Sequence, residues 1–140
     1  MQNYNVSEDV LREILALEEA KRKLGVREKT EKSFMKFVKH CYEGFIEGSH
    51  HKKVAEKFEQ LAKNPGSRII INMPPRHTKS EFASYLLPAW LIGKKPDLKI
   101  IQTTHTAELA VRFGRKVRNL MELEVYREVF PDVELRSDSK

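Results

Sequence analysis

The stretch from Pro74 to Ser80 reads Pro-Pro-Arg-His-Thr-Lys-Ser and follows directly on the apolar run Ile69-Ile70-Ile71-Asn72-Met73. A lysine next to a serine, placed where an extended run turns into a helix, is suited to holding phosphate. The Lys79 ammonium would lie against the outer phosphates of a nucleotide, and the Ser80 hydroxyl is placed to ligate Mg²⁺. Pro74 and Pro75 carry no N–H, so an anion cradle has to come from the amides of Arg76, His77, Thr78, Lys79 and Ser80. Arg76 could steady developing charge on a terminal phosphate, or pair with a surface acid. The glycine-bearing pattern G-x-x-x-x-G-K-[ST] is not met, because Met73 and Thr78 stand at its two glycine positions. A β-branched residue resists positive φ, so the loop must either avoid that conformation at Thr78 or carry strain there.

The surrounding elements would position this loop. Ile69–Met73 is short and β-branched, which predicts a strand buried on both faces of a parallel sheet. From Ser80, the series Phe82, Ala83, Leu86, Leu87, Trp90 predicts a helix that Pro88 must kink or end. Leu98–Thr104 repeats the strand signature, and from about Thr106 a helix carries Leu109, Phe113, Val117, Leu120 and Met121 on one face. Strand, helix, strand, helix implies an α/β fold. The opposite face of the last helix holds Arg112, Arg115 and Lys116, a pattern that usually marks a solvated surface. Upstream the reading is helical. A cap begins at Asn5, and a face of Val10, Leu11, Ile14, Leu15 and Leu17 follows, with an end expected at Gly25. Two further apolar series run from Phe34 to Phe45 and from Val54 to Leu61, stopping at Gly48 and at Asn64-Pro65-Gly66.

Lysine and arginine number 26 against 20 acidic residues, a net charge of +6 that favours anionic partners. The single cysteine, Cys41, lies among Val38, Tyr42 and Phe45 at helical spacing, which suits a buried thiol and excludes a disulfide framework. The amino terminus has charges where a signal peptide needs an apolar core. The longest uncharged stretch, Phe82 to Gly93, is 12 residues, short of the roughly 20 that span a bilayer. A soluble protein of a reducing compartment is expected.

The wording INMPPRHTKSE, followed by LLPAWLIGKKPDLKIIQTTHTAELAVRFGRKVRN and YREVFPDVELRSDSK, resembles the large terminase subunit of tailed bacteriophages, the motor that packages viral DNA. The likeness covers residues 48–140 and departs from the family's usual PPRHGKSE at Thr78. It implies a P-loop NTPase-type parallel sheet flanked by helices, incomplete at 48–140 and preceded by a helical region at 1–47. By the same resemblance, Arg76 is the upstream arginine of the Walker A loop, Lys79 its phosphate lysine and Ser80 its magnesium ligand, with ATP and Mg²⁺ as cofactors. His51 matches a polar residue that approaches the adenine, though a plain surface histidine is an equal alternative. The family's Walker B acids and nuclease would be expected beyond Lys140, so a fragment binding nucleotide with little hydrolysis is expected. The resemblance also implies as partners double-stranded viral DNA, a portal protein, a small terminase subunit and a homo-oligomeric ring. The setting would be the host cytoplasm and, transiently, the procapsid portal. Two other readings remain open: another P-loop ATPase such as a helicase or kinase, and a non-enzymatic basic module using Arg112, Arg115, Lys116 and Arg118 on DNA phosphates.

Overall fold

The computed structural model describes residues 7–64 and 66–135. Six α-helices follow in order: α1 (Glu8–Lys32), α2 (Phe34–Cys41), α3 (Ser49–Lys63), α4 (Leu87–Lys94), α5 (Ala107–Glu122) and the single turn α6 (Glu124–Arg127). A π-helical segment, Glu81–Leu86, leads directly into α4.

The parallel sheet expected from the sequence is absent among the described residues, which corrects the α/β, P-loop-type fold class. Residues 69–73 and 98–104 have no regular secondary structure and no ladder pairing, and a strand exists only when a neighbour takes up its N–H and C=O groups. β-Branched composition selects extended backbone but supplies no partner. Ile70 and Ile101 are accordingly 89% and 90% exposed rather than buried on two faces. Each run is instead fastened to the helices, Ile71 by packing on the core and Gln102 by donating its Nε2–H to the Ser84 carbonyl at 3.1 Å.

That carbonyl is free for a reason written in the sequence. Pro88 lies four residues beyond Ser84, cannot donate to it, and its ring would strike it in a regular α-helix. The wider π turns over Glu81–Leu86 relieve the clash, and the Gln102 side chain serves the carbonyl from outside. Pro88 therefore neither ends nor breaks the helix but reshapes the turn ahead of it.

Phe34 is the centre of the core. Its ring meets Phe58 of α3 at 5.4 Å, Phe82 of the π segment at 5.5 Å and Trp90 of α4 at 5.5 Å, all edge-to-face. Trp90 donates its indole N–H to the Thr30 carbonyl of α1 at 3.4 Å, and Tyr126 donates its hydroxyl to the Ala89 carbonyl at 2.9 Å. Phe37 meets Tyr126 edge-to-face and Phe130 at a tilt, joining α2 to the carboxyl-terminal turn. Gly93 sits so close to Phe130 that an added Cβ would lie 2.4 Å from a ring carbon. Gly93→Ala gains roughly 1 kcal/mol of helix propensity but overpacks a ring that cannot retreat, at about 1–3 kcal/mol. A lowered urea midpoint with unchanged m-value is the expected outcome.

Helix α1 departs from its expected form twice. It runs through Gly25 to Lys32, since a single interior glycine costs only about 1 kcal/mol and here adopts no positive φ. Its face of Val10, Leu11, Ile14, Leu15 and Leu17 is exposed. The observed N-cap is Ser7, which accepts the Val10 N–H at 3.4 Å; the cap expected at Asn5 lies outside the described residues.

Candidate phosphate-binding loop

Helical backbone begins at Lys79, with the Phe82 N–H bonded to the Thr78 carbonyl at 2.9 Å. Lys79 and Ser80 thus occupy the first turn, as the sequence predicts. Arg76 has φ 64° and Thr78 has φ 57°, both in the left-handed region, while His77 between them does not. Such alternation of handedness gathers successive N–H groups on one concave side, the geometry of a backbone anion nest. Among the described residues, none of the backbone N–H groups from Arg76 to Glu81 has an acceptor. These orphan donors meet the positive end of the helix dipole at the same place.

Thr78 settles the alternative posed by its β-branch: the loop takes the strained conformation. Two side chains hold it there. The Thr78 hydroxyl donates to the His77 carbonyl at 2.7 Å, and His51 Nε2 lies 2.6 Å from the same oxygen. His77 folds back, its Nδ1–H donating to the Pro75 carbonyl at 2.9 Å.

His51, matched by resemblance to an adenine contact, is only 6% exposed. Its Nδ1 accepts the Gly48 N–H at 2.9 Å, and its ring stacks on Phe82 at 5.0 Å and meets Phe45 at 4.9 Å. Both ring nitrogens are engaged inside the protein. This bond is not legible in the sequence, because its partners stand 27 positions apart.

The loop borders an open cleft of about 500 Å³ lined by Met73, Pro74, Pro75, Arg76, Thr78, Lys79, Ser80 and Glu81. Arg76 and Lys79 are exposed and meet no carboxylate among the described residues. Glu81, also in the lining, is held away by Lys116, whose Nζ donates to both carboxylate oxygens at 2.8 and 2.9 Å. That pairing removes Lys116 from the basic stripe of α5. Arg118 in turn meets Glu122 at 3.3 Å.

No cluster of three or more metal-ligating side chains occurs among the described residues. Ser80 alone is a poor resident site for Mg²⁺, but it suits an ion that arrives already bound to phosphate oxygens and keeps most of its waters.

Cys41 is inert by environment. Burial, reinforced by the Glu128 carboxylate, pushes its thiol up to about 12, so almost no thiolate exists at neutral pH. Iodoacetamide should label it at least about tenfold more slowly than in urea-unfolded chain; equal rates would contradict the burial.

No family model, curated protein or solved structure matches the chain. No helix among the described residues is long and apolar enough to cross a membrane.

Proposed function

We propose that the loop Met73–Glu81 binds the triphosphate of ATP with its Mg²⁺, and that the chain is the nucleotide-binding portion of a terminase-like motor for packaging viral DNA. The observation that carries the first part is the set of N–H groups from Arg76 to Glu81 that have no acceptor among the described residues, turned by two left-handed residues and flanked by the exposed cations Arg76 and Lys79. Phosphate oxygens match those donors in charge and number better than any uncharged ligand. Ser80 takes a place on the magnesium that the nucleotide brings. This reading rests on a loop and a helix start and requires no sheet.

The motor role rests on the resemblance of INMPPRHTKSE and the residues after it. Viral double-stranded DNA, a portal protein, a small terminase subunit and a ring of copies are the partners it implies, with work done in the host cytoplasm at the procapsid portal. A simple DNA-binding module is less well supported, because Lys116 and Arg118 of its stripe are engaged with acids.

Titration calorimetry with Mg-ATP, inorganic tripolyphosphate and adenosine tests the reading. The first two should bind and adenosine should not. Absence of heat with both phosphates would end the proposal.

A further inference from the structure

We infer that His51 is a positioning residue that latches the phosphate loop in its binding form and releases it on protonation, so that acid loosens the site. The inference rests on the loop being the phosphate site, but the latch itself is a property of the unliganded chain.

The geometry fixes the tautomer. A backbone N–H can only donate, so the Gly48 N–H at 2.9 Å requires Nδ1 to accept. The neutral ring then carries its proton on Nε2 and donates it to the Thr78 oxygen at 2.6 Å, while that hydroxyl passes its own proton to the His77 carbonyl. Every donor in this chain has one acceptor. A second proton on His51 must go to Nδ1, where it faces the Gly48 N–H, and two donors are left opposed. Gly48 also leaves room for the neighbouring His50 ring, since a Cβ added there would lie 2.8 Å from a carbon of that ring.

The surroundings set the direction of titration. Burial foremost, then His50 beside it on α3, lower the His51 value; Glu47 opposes them, and His77 of the phosphate loop lowers it further. Glu47 is itself held by Lys39 and Lys52, and the remaining faces meet Phe45 and Phe82. A depressed folded value means that the bond network is complete above the ordinary histidine range near ~6.5 and is lost as pH falls below it, through the folded value. Thr78 needs the latch because its β-branch disfavours the left-handed conformation that a glycine would adopt unaided.

The experiment is nitrogen-15 NMR of the full chain, with and without Mg-ATP, from about pH 7.5 to about pH 5.5. Without nucleotide, His51 should appear as the Nε2–H tautomer and titrate below ~6.5, with the Thr78 and Lys79 amides moving at the same midpoint. In His51→Gln, whose amide can accept from Gly48 and donate to Thr78 without titrating, those amides should stay still. Mg-ATP affinity should fall about tenfold across the range in the native chain, the loss of roughly one hydrogen bond. In His51→Gln it should change less than about twofold. Thr78→Gly, which needs no latch, should likewise lose its acid sensitivity and serves if His51→Gln folds poorly. An Nδ1–H tautomer, or loop amides indifferent to the His51 titration, would overturn the latch. If no chain binds Mg-ATP at any pH while the amides still follow His51, the nucleotide reading fails and the latch stands.

Discussion

Phe34→Ala should destabilise the chain by about 3–5 kcal/mol, the cost of emptying an aromatic site in a packed core. Phe34 is fully buried, and at its ring α2, α3, the π segment and α4 all meet. Those neighbours are other large rings, which cannot close over the void without losing their own edge-to-face contacts. The chain also lacks a sheet to share the load among the described residues, so the helical core has to carry it. A native stability of 5–15 kcal/mol is usual for a domain, so the variant should be partly unfolded at room temperature or melt far lower. Differential scanning calorimetry checks this; a melting temperature within a few degrees of the native chain would contradict the central place given to Phe34.

Lys79→Ala should weaken Mg-ATP binding by about ten- to a hundredfold while leaving the melting temperature unchanged. The two halves of that expectation have separate grounds. Lys79 is exposed and meets no carboxylate among the described residues, so removing its side chain breaks no bond of the folded state, and surface changes of this kind stay within about ±0.5 kcal/mol. Bonds from a charged donor to phosphate contribute about 1.5–3 kcal/mol each, which converts to the stated loss of affinity. Equilibrium dialysis with labelled ATP measures it. Equal affinity in the two chains would remove Lys79 from the site.

Much of this loop could be read from the residues alone. The two prolines barred amide donors at 74 and 75, the Lys-Ser pair fell on the first helical turn, and the threonine in a glycine position posed a choice between avoiding positive φ and bearing strain, which the φ of 57° at Thr78 decides. Helices α3 and α5 likewise follow from apolar spacing, and α3 ends at Asn64 as read; the second series, read from Phe34 to Phe45 with a stop at Gly48, is helical only to Cys41. The sheet was misread because composition reports backbone preference, whereas pairing is a tertiary fact; Ile69–Met73 has the preference and no pairing strand among the described residues. Gly25 misled in the opposite way, its small penalty being overridden by a helix that continues to dock Thr30 beneath Trp90. His51 and the Glu81–Lys116 pair were illegible for a shared reason. Each joins residues that lie 27 and 35 positions apart, and no local spacing encodes which side chains will face one another across the core.

Backbone amide shifts on adding Mg-ATP test the phosphate cradle most directly. The amides from Arg76 to Glu81 should move together and saturate with one binding constant, while adenosine leaves them in place. If Mg-ATP left those amides unshifted, or moved only residues elsewhere on the chain, the loop would not be the phosphate site.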